Sequence, residues 1–81
     1  MRRIEVFVEN NCPACDVALA SAISAAKECS ANLRVFQREI DRDIFRQRRI
    51  AVCPAAFVDG KLSFYGEFSF AEIRDRLRRT S

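Results

Sequence analysis

Ile4-Glu5-Val6-Phe7-Val8-Glu9-Asn10-Asn11-Cys12-Pro13-Ala14-Cys15 is the stretch that decides the fold. Its first half is apolar and β-branched and reads as a strand. Ile4, Val6 and Val8 fall on one side, and Phe7 on the other with Glu5 and Glu9. Asn10 and Asn11 turn the chain, and Pro13 suits the first position of a helix, where its missing N–H is no loss. Two cysteines three apart at a strand-to-helix junction can close a small reversible disulfide. Cys12 falls at the helix start, where unpaired N–H groups and the positive end of the dipole favour a thiolate. Its pKa is expected below the ~8.5 of a free thiol, with Asp16 limiting the drop. Cys12 is therefore the expected nucleophile, and Cys15, one turn further in, the thiol that resolves the mixed disulfide. Pro13 stiffens the loop between them.

Working outward, residues 13–29 are Ala-rich, with Leu19, Ile23 and Ala26 at helical spacing, and Ser30-Ala31-Asn32 ends the helix. Residues 33–38 read as a second strand. Asp41 is placed to cap a short helix over about 42–48, anchored by Ile44. Ile50-Ala51-Val52-Cys53-Pro54 leads into a third strand at 55–58. Asp59-Gly60 signals a tight hairpin. A fourth strand follows at 61–65, with Leu62 and Phe64 expected on one face, and Gly66 turns the chain again. Ser69-x-x-Glu72 forms a capping box ahead of a last helix carrying Phe70, Ile73 and Leu77. The order is β-α-β-α-β-β-α. One mixed four-stranded sheet with helices on both faces buries all of these stripes, an α/β architecture.

The chain has 81 residues, 49% hydrophobic and 31% charged, which suits a single globular domain spanning 1–81. A core at this size is thin, burying ~60% of the unfolded surface. No apolar run approaches the ~20 residues of a membrane span. The basic start at Arg2 and Arg3 is followed at once by Glu5 and Glu9, so no signal sequence is read and a cytoplasmic location is the default expectation. Fourteen Lys and Arg stand against eleven Asp and Glu, a net charge of +3. The basic residues gather at Arg42, Arg46, Arg48 and Arg49, and again at Arg74, Arg76, Arg78 and Arg79. Acidic residues interleave both clusters and no aromatic stacking pattern accompanies them. Solvated helix faces are the plain reading, attraction to an acidic protein partner is a sharper one, and nucleic acid is not an expected partner.

Four cysteines also fit a secreted disulfide scaffold, but the absence of an export signal and the ample apolar pattern oppose it. A closed zinc site needs about four ligands, and the chain has no His and no second C-x-x-C. Cys29 lies 14 residues beyond Cys15, ~21 Å along the helix, too far to join the site.

The element order, with C-P-x-C at the first strand–helix junction and Pro54 opening the third strand, resembles the thioredoxin fold. The chain is most similar to the small thioredoxin/glutaredoxin-like proteins of bacteria and archaea. The resemblance runs through Ile50-Ala51-Val52-Cys53-Pro54-Ala55, Val58-Asp59-Gly60-Lys61 and Gly66 before the last helix, and so covers nearly the whole chain. It implies a thiol–disulfide oxidoreductase with a redox-active Cys12–Cys15 disulfide and no other cofactor. Pro54 then corresponds to the family's cis-proline, and Pro13, Val52, Cys53 and Pro54 border the substrate. The implied partners are a disulfide-containing protein or small thiol and an upstream reductase; the small size of the domain leads us to expect a monomer, and its apolar pattern no membrane partner. Three positions depart from the usual pattern. Cys53 replaces a β-branched residue, Gly66-Glu67 replaces a Gly-Gly step, and Asn11 stands where thioredoxins carry Trp.

In this fold the residue before the cis-proline faces the C-x-x-C pair. Cys53 then has three readings: a buried apolar filler, a third redox thiol, or a ligand with Cys12 and Cys15 for a soft metal or iron–sulfur cluster. Two alternative functions follow, a metal- or cluster-binding protein and a non-catalytic interaction module. Glu5 and Glu9 are the acids nearest the site, expected to be solvated or at a strand edge, with proton relay as the sharper reading.

Overall fold

A computed structural model describes residues 2–79. The elements are β1 (Arg3–Val8), α1 (Pro13–Cys29), β2 (Asn32–Gln37), α2 (Arg42–Arg48), β3 (Ala55–Val58), β4 (Lys61–Tyr65) and α3 (Phe70–Arg79). The sheet order is β2-β1-β3-β4. β1 and β2 are parallel, while β1–β3 and β3–β4 are antiparallel. The expected mixed sheet and element order are therefore present.

The alternation along β1 divides the core into two layers. Ile4 and Val6 pack under α1 and α3 with Ala18, Ala22, Ala25, Phe68, Ile73 and Leu77. Phe7 points the other way, into Phe45 and Ile50 around α2 with Ala55 and Phe57 of β3. Its ring lies 5.0 Å from Phe36, 5.1 Å from Phe45 and 5.4 Å from Phe57. Each such aromatic pair adds about 0.5–1.5 kcal/mol beyond area burial.

Four expectations are corrected. On α1 the buried stripe is Cys15, Ala18, Ala22, Ala25 and Ala26, whereas Ile23 is 40% exposed. Small side chains let the helix sit close to the sheet and α3, and the bulkier residue is left at the rim. On α2 the buried anchor is Phe45, with Ile44 only partly buried. Asp41 precedes α2 but makes no side-chain cap; its Oδ2 instead accepts from the Gln37 N–H at 2.8 Å. On β4 a bulge opposite Ala56/Phe57 pairs Phe57 with Leu62 and Ala56 with Phe64. Leu62 and Phe64 thus lie on opposite faces, because the extra residue Ser63 reverses the alternation.

The end signals behave as read. Asp59 (φ 51°) and Gly60 (φ 83°) both take positive φ, the geometry of a two-residue hairpin. Asp59 also fastens the start of β1, accepting from the Arg3 N–H at 2.9 Å and from Arg2 Nε at 2.8 Å. Ser69 and Glu72 close the capping box reciprocally, at 2.9 and 3.1 Å. Among the described residues, no helix is long and apolar enough to cross a membrane.

Candidate active site

β1 ends at Val8, and Asn11 takes a left-handed conformation (φ 55°), which aims the chain into α1. Cys12 is the N-cap of α1, with extended backbone, and Pro13 opens the helix. The Cys12 sulfur accepts from the Cys15 N–H at 3.1 Å. Cys12 and Cys15 are joined as a disulfide, with Cα atoms 5.1 Å apart. Cys12 is half-buried and Cys15 is 2% exposed. Cys12 opens onto a surface cavity of about 500 Å³ shared with Glu9, Asn10, Asn11, Pro13 and Asp16. The sulfur of Cys12 is therefore the reachable one, and its surroundings carry two carboxylates.

The other expected site residues lie in the loop before β3. The Cys53–Pro54 bond is cis. Pro54 is fully buried, and its carbonyl accepts from the Gly66 N–H at 2.7 Å. The Val52 side chain is 49% exposed. Cys53 is a free thiol of intermediate burial whose Sγ lies 3.4 Å from Arg38 Nη2. Burial pushes the Cys53 thiol up from its ordinary pKa, against the opposing pull of the Arg38 cation; Glu9 and Glu39 add to the rise.

Two residues that build this loop carry no motif. Arg38 donates to the carbonyls of Ile50 (3.3 Å) and Ala51 (3.1 Å) and to Glu9 Oε1 (2.7 Å), with its guanidinium 5.0 Å from the Phe45 ring centroid. Tyr65 Oη accepts from the N–H groups of both Ala51 and Val52 at 3.1 Å. Neither role is visible in the sequence. Arg38 meets Glu9 because Gln37 pairs with Val8, a register set only by the folded crossover. Tyr65 stands opposite Ala55 only because of the bulge; counting outward from the turn places Phe64 there.

The two acids separate. Glu9 holds Arg38 at the rim of the cavity. Glu5, expected at the surface, is 6% exposed and takes a bidentate pair from Arg48 at 3.0 and 3.2 Å. It lies among the aromatic residues under α2, where a carboxylate needs a paired cation. Arg48 supplies it from 4.8 Å over the Phe57 ring.

Cys29 closes α1, packs against the core layer under that helix, and is free. Among the described residues, no group of three or more His, Cys, Asp or Glu is arranged to hold a metal ion. The alternative ligand set of Cys12, Cys15 and Cys53 is not assembled in this disulfide-bonded form.

The thioredoxin-domain family profile matches residues 2–78. No curated protein matches the chain. Among solved structures, chloroplastic thioredoxin z is similar at 16% identity, covering 98% of this chain and 77% of its own, with a TM-score of 0.87. Thioredoxin 1 of Thermosipho africanus matches at 20% identity over 95% of this chain and 91% of its own, TM-score 0.80. The NTD_N/C domain of alkylhydroperoxide reductase AhpF from Enterococcus faecalis matches at 26% identity and TM-score 0.77, over 94% of this chain and 37% of that one. The family and the bonded Cys12–Cys15 pair together support thiol–disulfide oxidoreductase chemistry in general. A profile spanning nearly the whole chain, a sheet of the matching order and a cysteine pair capping the first helix make this chain a member of the thioredoxin-domain family.

Proposed function

We propose that the protein exchanges disulfides through Cys12 and Cys15. In the reduced form, the Cys12 thiolate attacks one sulfur of a substrate disulfide. A Cys12–substrate disulfide forms, and the other substrate sulfur leaves as a thiolate that takes up a proton. Cys15 then loses its proton and attacks the Cys12 sulfur. The Cys12–Cys15 bond closes, and the second substrate sulfur departs as a thiol. Two electrons and two protons pass from the protein dithiol to the substrate, and an external dithiol reductant reverses the balance.

The observation that carries this reading is the placement of Cys12 at the N-cap of α1, with the Cys15 N–H 3.1 Å from its sulfur. That donor and the helix dipole favour the anionic sulfur, which is both the attacking and the leaving species. Burial of Cys15 suits a thiol that meets only the Cys12 sulfur. In this reading a substrate strand lies along Val52-Cys53-Pro54, with Pro13 bordering it from the helix. The support is the exposed Val52 side chain and the fixing of the loop by Arg38 and Tyr65.

The test is exchange between the reduced protein and bis(2-hydroxyethyl) disulfide, followed by thiol release. Wild type is expected to exceed the uncatalysed reaction, and Cys12→Ser to abolish the excess. An equal rate in Cys12→Ser and wild type overturns the reading.

A further inference from the structure

A second cavity, of about 560 Å³, opens beside the loop that leads to Cys53. Its floor is Phe45 and Ile50, both nearly buried, and its walls include Arg38, Arg42, Arg46 and Arg49. Arg42, Phe45 and Arg46 fall at the i, i+3, i+4 spacing of one face of α2, and Arg49 is its left-handed C-cap (φ 56°). Like charges at that spacing repel one another. Arg46 and Arg49 sit at the C-terminal end of α2, where the helix dipole favours cations. Arg42 begins the helix, where the dipole disfavours one, so helix electrostatics does not account for it. Among the described residues, the side chains of Arg42 and Arg49 have no hydrogen-bond or ion-pair partner, and Arg46 has only an exposed contact to Asp43 at 4.0 Å.

The cavity is coupled to the redox site by shared residues. Arg38 lines it and contacts the Cys53 sulfur, while its partner Glu9 lines the Cys12 cavity. Ala51 also lines it and lies two residues before Cys53, within ~7 Å of chain. On the Cys12 side Glu9 is paired with Arg38 and Asp16 remains as a carboxylate, while Arg42, Arg46 and Arg49 make this side basic. A substrate that spans both must keep acidic groups away from the scissile sulfur and present them several residues along.

We propose that this arginine-walled cavity binds an acidic, partly apolar peptide segment flanking the disulfide of a protein substrate, and so selects which disulfides reach Cys12. The inference rests on the exchange reading given above. An apolar side chain of the segment covers Phe45 and Ile50, and its carboxylates meet Arg42, Arg46 and Arg49. Nucleic acid is the less suitable occupant. The basic wall is confined to α2 and its flanks, Asp43 lies beside Arg46, and among the described residues the only aromatic one lining the cavity, Phe45, is too buried to offer a stacking face.

The test uses two synthetic peptides, each carrying one cysteine as a mixed disulfide with 2-mercaptoethanol. They differ only in a Glu-Glu-Phe or a Lys-Lys-Phe segment placed three residues from that cysteine. Reduced wild type is expected to exchange roughly tenfold faster with the acidic peptide at low salt, and the ratio should shrink as salt screens the attraction. In the double variant Arg42→Glu, Arg49→Glu the ratio should fall to one or below. Thermal unfolding of the variant confirms that it is folded, and bis(2-hydroxyethyl) disulfide serves as the neutral reference. Equal rates for the two peptides with wild type, or a preference that survives in the double variant, overturn the proposal. So does arginine-dependent binding of a single-stranded oligonucleotide without peptide discrimination. Failure with the neutral disulfide as well as both peptides instead overturns the exchange reading itself.

Discussion

Arg38 Nη2 lies 3.4 Å from the Cys53 sulfur, joining the end of β2 to the residue that precedes the cis peptide bond. Burial raises the Cys53 thiol above its ordinary pKa and Arg38 opposes the rise. Cys53 is therefore expected to be a thiol rather than a thiolate at neutral pH and to alkylate slowly. Arg38→Ala removes the cation, so the midpoint of the alkylation pH profile should move higher still. Mass-resolved alkylation of the Cys12→Ser, Cys15→Ser background across pH reads this directly. A midpoint that falls in Arg38→Ala contradicts the assignment.

Glu5 and Arg48 form a bidentate pair in the aromatic layer under α2. Removing Arg48 leaves the buried Glu5 carboxylate with only the half-exposed Arg3, 3.9 Å away, as a counter-ion. Arg48→Met is expected to cost about 2–4 kcal/mol in urea unfolding, reduced from the fully buried case because Arg48 retains some solvent. Joint replacement, Glu5→Leu with Arg48→Met, should recover most of the loss, because neither charge then remains buried. A double variant less stable than Arg48→Met alone would show that the pair contributes net stability.

Asp59 gives the acid dependence. Partial desolvation acts to raise its carboxyl pKa, but the Arg3 N–H and the Arg2 guanidinium outweigh it and hold the pKa below the usual range. A carboxylate with a depressed folded pKa contributes stability above the unfolded value of about 3.9, and loses that contribution as pH falls through the folded value. Asp59→Asn keeps a residue that tolerates positive φ. Its stability deficit relative to wild type should therefore be present at pH 6 and shrink by about pH 3. Urea unfolding at both values reads the difference, and a deficit independent of pH would assign Asp59 to the turn alone.

The element order was legible because the punctuation is sparse and unambiguous. Pro13, Pro54, Asp59-Gly60 and Ser69-x-x-Glu72 each mark a boundary, and each boundary is found where it was read. The Cys12–Cys15 pair was legible for the same reason. Side-chain placement was less so. The Ala face of α1 defeats a rule that ranks burial by bulk, since close approach selects small residues. The β4 bulge inserts one residue with no Gly or Pro to announce it. Glu5 is buried because Arg48, 43 positions away, reaches it, and no local pattern encodes that distance. Arg38 and Tyr65 were illegible as site residues because both depend on strand register.

The roles of the cysteines are separated most directly by trapping the half-reaction. Reduced Cys15→Ser is mixed with bis(2-hydroxyethyl) disulfide, quenched with acid and mapped by mass spectrometry. One mercaptoethanol adduct is expected on Cys12, formed at a rate whose pH midpoint lies below the ~8.5 of a free thiol. Adduct on Cys53 or Cys29 in preference to Cys12, or a Cys12 midpoint at or above that of a free thiol, would contradict the account.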